Sequence, residues 1–431
     1  MSTQKAVDFL KGRLNKKLIA SLEVCAHCGI CKDSCHYYRA SQDPVHTPAY
    51  KAEKLRKIYR RYFTPTGKLF PGLVGARDFD EEYARELKDI AFGSCTMCRR
   101  CTINCPMGID TGLIVRTARA MLAAINMVPA SLKAGVDLTI ESGNNMGVTR
   151  EEFLETIEWL EEQLQDEVGD SKAKIPVDKK GARVLYMTIP LEVKVYPLSF
   201  IALAKIFYAA GEDWTVSSKM FDATNLALFS GEDDLARLHA QRLRDATVEL
   251  GVKVLAMTEC GHGFRAMRWE AENWLGEKFP FEVRHVVELI HEYVTSGRIK
   301  LDPSRNTKPV TYHDPCNLAR NGGIYKEPRE ILARAVSDFR EMSPSGVENL
   351  CCGGGGGMLA MTDYAKSRIA AGKPKADQIM ATQAKEVVAP CHNCMVQLQD
   401  LKKHYKMPVN ITALSEIVAN ALVLPGEEKN N

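Results

Sequence analysis

Eight of the chain's fourteen cysteines sit in two runs. Cys25, Cys28, Cys31 and Cys35 follow a CxxCxxCxxxC spacing, and Cys95, Cys98, Cys101 and Cys105 repeat it, with Pro106 directly after. Three thiolates spaced two residues apart can wrap three irons of a cubane, and in paired runs the fourth thiolate serves the other cluster. The spacing therefore predicts two [4Fe–4S] cubanes, one on Cys25, Cys28, Cys31 and Cys105, the other on Cys95, Cys98, Cys101 and Cys35. Structural zinc prefers two separated Cys or Cys/His pairs, and no histidine pair completes these runs. A disulfide framework suits small secreted chains, not one of 431 residues. His36 follows Cys35 where the pattern expects proline. That changes the expected local backbone and leaves the expected ligation as it is.

A second cysteine set lies downstream: Cys316, the adjacent pair Cys351 and Cys352, and Cys391-His392-Asn393-Cys394. Thirty-four residues separate Cys316 from Cys351, and thirty-eight separate Cys352 from Cys391. Each cysteine falls where a strand ends or a helix begins, and in a parallel α/β sheet those positions converge at the carboxyl edge. Five converging thiolates are too many for one tetrahedral zinc. Five glycines, Gly353 to Gly357, follow the pair. They permit close backbone approach and turn N–H groups toward a negatively charged cofactor or sulfur ligand. No GKS/T signature follows that would make the run a phosphate loop.

These residues need elements to position them. A chain this long predicts two or three domains. The expected class is α+β multidomain: a helix-rich ferredoxin domain with two cubanes over residues 1–125, a helical connector and linker over 126–181, and an α/β domain over 182–425. Helical pattern runs through Ala49–Phe63 and Glu81–Ala91. The first of these holds Lys51, Lys54, Arg56, Lys57, Arg60 and Arg61. They form either a solvated face or a docking surface for an acidic partner or lipid headgroups. Thr149 and Glu152 form a capping box before an acidic amphipathic helix ending near Val168. Polar Gly169–Gly181 reads as the interdomain linker. Beyond it the apolar strands RVLYMTI, VKVLAMTE, PVTYHD and EVVAP alternate with helical stretches such as Asp233–Leu250, Val286–Ser296 and Tyr364–Gln383. That alternation predicts a largely parallel sheet.

The α/β part also reads as two pseudo-repeated halves. VTYHDPC, ending at Cys316, parallels VLYMTIP, ending at Pro190. Asn349-Leu350-Cys351-Cys352 parallels Asn225-Leu226-Ala227-Leu228, and the segment ending at Cys391-His392 parallels the one ending at Cys260. The second half kept its cysteines; the first kept only Cys260.

Composition excludes several classes. Hydrophobic residues make up 45% and charged residues 26%, with 57 Lys and Arg against 54 Asp and Glu. A net charge of +3 gives no whole-chain argument for nucleic acid. The N-terminal residues lack an apolar signal region, and the longest apolar stretch, Pro197 to Gly211, carries Lys205 and is too short to span a bilayer. Reduced cysteines in this number predict a cytoplasmic location, with any membrane attachment made through a partner. No GxGxxG follows a predicted strand, so neither flavin nor nicotinamide is expected.

The Cys316…Cys351-Cys352-Gly353…Cys391-x-x-Cys394 arrangement resembles the CCG motif of heterodisulfide reductases. The whole chain, two cubane runs followed by this domain, resembles the catalytic subunits of their membrane complexes. Glu259-Cys260-Gly261-His262-Gly263-Phe264 resembles relatives in the Dsr, Hmc and Tmc membrane complexes of sulfate reducers, which implies anaerobic sulfate respiration. The resemblance implies that Cys316, Cys351, Cys352, Cys391 and Cys394 hold a non-cubane [4Fe–4S] cluster that reduces disulfides. A single intact CCG motif argues against a second such cluster and against the methanogen heterodisulfide as substrate. Implied partners are a membrane b-type cytochrome or other integral-membrane subunit at the inner membrane, further iron–sulfur or cytochrome c subunits, and a small protein or thiol disulfide as substrate. Two other readings remain: a non-catalytic electron conduit, and the iron–sulfur subunit of a lactate- or glycolate-type oxidoreductase. Cys260 is a leftover buried thiol, a cap on a cluster iron, or an exchanging thiol facing substrate. His262 is placed to protonate a departing thiolate, because histidine titrates near neutrality.

Overall fold

The computed structural model describes residues 3–424 and Glu427. Its N-terminal third is helical. Each of three long helices there begins on a side chain that accepts an otherwise unpaired backbone N–H. Thr47 accepts from Tyr50 at the start of Pro48–Phe63, Asp80 from Tyr83 at Glu81–Gly93, and Asp110 from Leu113 at Thr111–Ala123. The apolar faces of these helices close one core with Leu55, Ile58, Tyr83, Phe92, Ile114 and Met121. Leu228, Phe229, Met358 and Met361 from the later chain complete that core.

The second part holds two parallel sheets. Strands β1 (Val184–Met187), β2 (Trp214–Thr215), β3 (Val254–Met257) and β4 (Glu282–His285) form one, in order β2-β1-β3-β4. Val184 pairs with Val254, and Val254 with Glu282. A short antiparallel pair joins β5 (Lys300–Leu301) to β9 (Leu422–Val423). Strands β6 (Val310–Tyr312), β7 (Glu386–Val388) and β8 (Asn410–Thr412) form the other parallel sheet, in that order. Strands β1 and β3 are buried along their whole length, as expected where helices cover both faces. Val310, Tyr312 and Val388 share the larger core with the first sheet. The two sheets therefore meet, and His392 N–H donates across to the Glu259 carbonyl at 2.9 Å.

Two expectations are corrected. The basic helix is neither a solvated face nor a free docking surface. Lys51, Lys54 and Arg56 are buried, and Lys57, Arg60 and Arg61 are half-buried. Lys54 pairs with Glu86, Arg61 with Asp78, and Arg56 and Arg60 both with Glu53. Lys51, Lys54 and Arg56 point inward, to carbonyls, carboxylates and the Cys35 thiol, while Arg60 and Arg61 meet carboxylates nearer the surface. Gly169–Gly181, the expected interdomain linker, is packed along part of its length. Ala173 and Ile175 are buried, Ile175 N–H reaches Glu161, and Val177 bridges Val216 beside β2. The stretch Tyr364–Gln383 breaks into Ala365–Ala371 and Lys373–Ala381 at Gly372, where a Cβ would lie 2.5 Å from Leu401. The capping box at Thr149 and the helix Asp233–Leu250 form as read. No helix among the described residues is long and apolar enough to cross a membrane.

Removing the Arg56 guanidinium would leave the Leu22 carbonyl and Glu53 without their buried partner. Breaking such a set costs about 3 kcal/mol. Arg56→Ala is expected to lower the urea midpoint of the anaerobically prepared protein markedly, and Lys57→Ala to leave it nearly unchanged.

Candidate iron–sulfur centres

Both N-terminal runs wrap in the same way. Residues two and four past the first cysteine take the left-handed conformation: His27 and Gly29 at φ 51° and 79°, Met97 and Arg99 at φ 51° and 60°. Three of the four are not glycine, a strained choice that persists where the surroundings demand it. The turn aims N–H groups inward, and Met97 N–H points at Cys95 Sγ at 3.4 Å. The first run sits in a near-surface cavity lined by Cys25, Cys28, Cys31 and Cys105, with Cys101 in its wall. A second, deeper cavity is lined by Cys35, Cys95, Cys98 and Cys101. Cys28 is exposed, whereas Cys35 is buried.

Two buried cations adjoin the deeper site, Lys51 in its lining and Arg119 behind the Cys95 carbonyl. Lys51 Nζ lies 3.4 Å from Cys35 Sγ and also reaches the Ser94 carbonyl. Burial opposes its charge, but Cys35 and Cys95 together hold its ammonium above the ordinary range. Arg119 is wholly buried and donates to the carbonyls of Ala91, Phe229, Gly356 and Cys95 at 2.6–2.9 Å. Burial brings its guanidinium down to about 10, so it stays charged at neutral pH.

The downstream cysteines come together at the carboxyl ends of the strands. Cys316 follows β6, and Cys391 and Cys394 follow β7 at the start of the helix His392–Tyr405. Cys352 Sγ lies 3.6 Å from Cys394 Sγ, and His313 joins these two in a tight buried group. Hydrogen bonds from Cys351 and Cys394 hold the Cys352 thiol well below its ordinary range, while sharing with Cys352 and Cys391 pushes Cys394 well up. Thiols this close in a dry site repel once ionised, so the donor set suits a polycationic metal centre.

The glycine run is cut to the same shape. Gly353 N–H points at Cys351 Sγ at 3.4 Å, and a Cβ on Gly355 would sit 3.7 Å from Cys316 Sγ. Gly356 has φ 66°, and a Cβ there would lie 2.7 Å from the Thr96 backbone. Thr96 belongs to the second run, so the two cysteine regions abut. Thr96 Oγ1 is 3.4 Å from Cys351 Sγ. Cys98, Cys351 and His36 bring their ligand atoms within 4.8 Å of one another. The buried His36 Nε2 has no hydrogen-bond partner. The residue that departs from the run's expected proline thus lies against both cysteine regions.

A cavity of about 380 Å³, whose lining does not include Cys98, opens against Cys316, Cys352, Cys391 and Cys394. Cys351 is not among its lining residues; His262, Asn393 and Asn317 are. Cys260 lies behind that wall, buried, with Sγ 3.5 Å from His262 Nδ1. Burial first, then the nearby Cys391, raises the Cys260 thiol well above its usual range. Burial also brings His262 down to about 4, so its ring is neutral at pH 7 instead of titrating near neutrality. Sequence reasoning missed Lys51 and Arg119 as neighbours of the cysteines, and it missed His313. His313 sits three residues before Cys316, and that spacing was the one available signal.

Comparison with known proteins agrees with this layout. Residues 21–109 match the 4Fe-4S dicluster domain and residues 310–399 the cysteine-rich CCG domain. The chain is 29% identical to the Hdr-like menaquinol oxidoreductase iron-sulfur subunit 2 of Archaeoglobus fulgidus, over 95% of this chain and 81% of that protein. It is 27% identical to a subunit of the dihydromethanophenazine:CoB–CoM heterodisulfide reductase of Methanosarcina barkeri, over 94% of this chain and 95% of that protein. The chain is heterodisulfide-reductase-like. It is an iron–sulfur oxidoreductase that carries 4Fe–4S clusters. A weaker likeness, 25% over 77% of this chain, links it to the probable iron-sulfur-binding oxidoreductase FadF of Bacillus subtilis, of which it covers 45%.

In this heterodisulfide-reductase-like chain, Gly356→Ala is expected to force Thr96 away from the glycine run. The spectroscopic signal of the CCG site should be lost or altered, with the cubane signal of the Cys25 region kept. An unaltered CCG signal would show that the Gly356–Thr96 approach is not required.

Proposed function

We propose that the chain is the electron-transfer subunit of a membrane-associated redox complex and reduces disulfide-type substrates at its CCG site. The single observation that carries this is the position of Cys351. It contacts the Cys98 region, while its four companion cysteines line a 380 Å³ cavity whose lining includes neither Cys98 nor Cys351. That arrangement lets electrons enter past Cys98 and substrate enter through the cavity. The outer cubane would be held by Cys25, Cys28, Cys31 and Cys105, and the inner one by Cys35, Cys95, Cys98 and Cys101. The CCG cluster would be held by Cys316, Cys351, Cys352, Cys391 and Cys394. When bound, these clusters would supply one-electron steps and a metal site for sulfur. The protein's own residues do the rest: the burial around Cys35 excludes water, the glycine run makes room, and Asn393 Nδ2, 3.2 Å from His262 Nδ1, fixes that ring at the cavity wall.

The Archaeoglobus relative is named a menaquinol oxidoreductase subunit and the Methanosarcina relative a heterodisulfide reductase subunit. By that likeness the electron source is a membrane partner handling quinol, a b-type cytochrome or other integral-membrane subunit, and the chain sits peripherally at that membrane. A small protein or thiol disulfide is the substrate, within anaerobic sulfate respiration. The cavity favours this over a pure conduit, and neither relative's name refers to lactate or glycolate. The domain limits 1–125, 126–181 and 182–425 remain the working division, with residue 425 outside the described residues. The two halves of the α/β part derive from one ancestral unit. Supporting this, β1 pairs in parallel with β3 as β6 does with β7, and Cys260 and Cys391 each precede a helix three residues past their strand.

Three four-iron sites predict about twelve irons per chain prepared without oxygen. A count of about eight would remove the CCG cluster. Cys35→Ser should perturb the signal of the inner cubane and spare the outer one; damage confined to the outer cubane would contradict the exchange of fourth ligands. Cys260 and His262 act at the substrate face, His262 as the cavity-lining group and Cys260 as its support. His262→Gln is expected to reduce disulfide turnover at least tenfold with both cubane signals intact, and Cys260→Ala to have a smaller effect. Full turnover in both variants would leave Cys260 a buried remnant.

A further inference from the structure

The two N-terminal cysteine sites meet opposite electrostatic surroundings. The outer one reaches solvent through Cys28, and no Lys or Arg lines its cavity. In the inner one Cys35 is buried and Cys95, Cys98 and Cys101 are half-buried; Lys51 and Arg99 line it, Arg99 paired with Asp110, and Arg119 donates to the Cys95 carbonyl. Lys51 is 3% exposed, and Arg119 is wholly buried. Neither forms an ion pair with a carboxylate among the described residues; their partners are carbonyls, a thiol and the rings of Tyr37 and Phe92. A buried cation without a carboxylate partner is costly, so such a pair beside one cysteine site calls for a compensating negative charge. Four thiolates around an iron–sulfur core supply it.

Adding an electron to a cubane makes an already anionic centre more negative. Water stabilises that charge at an exposed site, and burial opposes it. Burial alone would therefore make the inner site the harder one to reduce and stall an electron at the outer site. On the cluster assignment proposed above, we infer that Lys51 and Arg119 are positioning charges that hold the inner site's reduction potential at or above the outer one. Electrons then pass inward toward Cys351. The step moves one electron from the outer site to the inner one; no bond forms or breaks, and no proton is required. Lys51 acts through the Cys35 sulfur, and Arg119 through the Cys95 carbonyl it also ties to Gly356.

An EPR-monitored redox titration of the full chain, with all clusters loaded, tests this. The outer signal is assigned as the one that Cys28→Ser perturbs. In the wild type the inner signal should titrate at or above the outer. In Lys51→Gln, with iron content unchanged, the electron partition between inner and outer sites should fall at least tenfold, about 59 mV for one electron. Lys51→Arg should restore it, because charge and not packing is the cause. An unchanged partition in fully loaded Lys51→Gln would overturn the role of Lys51. A wild type whose inner site titrates far below the outer would overturn it without any variant, and decides alone if Lys51→Gln fails to load. Absence of two distinct cubane signals would instead overturn the cluster assignment itself.

Discussion

Arg119 is the interaction on which the rest depends. One guanidinium with no carboxylate partner among the described residues binds four carbonyls from three regions: Ala91 and Cys95 at the start of the second cysteine run, Phe229 in the first half of the α/β part, and Gly356 in the glycine run. In a buried site each of those carbonyls would be costly unpaired. The guanidinium is planar and multidentate, so it fixes all of them in one geometry. Arg320 adds a similar tie, donating to the carbonyls of Cys98, Val347 and Asn349. Between them the two arginines clamp the second run to the CCG domain at both ends of Thr96–Cys98.

That clamp explains the glycines. If Cys351 is to approach Cys98, the backbones on either side must come closer than a Cβ permits, and Gly356 meets Thr96 at that point. It also explains the asymmetry of the CCG cysteines. Cys351 is turned toward the second run and takes a contact from Thr96, while Cys316, Cys352, Cys391 and Cys394 face the cavity. On the proposed function, a path for electrons and a separate opening for substrate would come from one packing arrangement. The N-terminal helical part and the CCG domain share a buried polar seam. Leu228, Phe229, Met358 and Met361 pack into the N-terminal core on both sides of that seam.

The same seam accounts for the basic helix Pro48–Phe63. Its charge pattern looks like a surface feature because six cations fall within sixteen residues. Helical periodicity distinguishes faces but does not say what lies opposite each face. Here the facing groups are thiols, carbonyls and acidic side chains, so cations are what this interior requires. The packing of Gly169–Gly181 was hidden for a related reason. A polar, glycine-flanked segment is compatible with a loose linker, and only its packing beside β2 shows Ala173 and Ile175 as buried.

The chemistry was therefore legible in the one-dimensional chain. Cysteine spacing within each run is a local property, set by how a few residues wrap one centre, and it sufficed to predict cubanes. Likewise Cys351-Cys352 with five glycines carried the CCG resemblance, and alternating apolar strands and helices carried a parallel α/β part. Capping residues such as Thr149 with Glu152 marked their helix correctly, since a cap bonds within three residues of itself. What only the tertiary structure decided are relations between residues far apart in sequence: Cys98 beside Cys351, Lys51 aimed at Cys35 and Cys95, Arg119 bridging to Gly356, and Cys260 behind the cavity wall instead of on it. No local pattern encodes these contacts, because each is fixed by the packing of whole elements and by the need to pair every charge and carbonyl that packing buries.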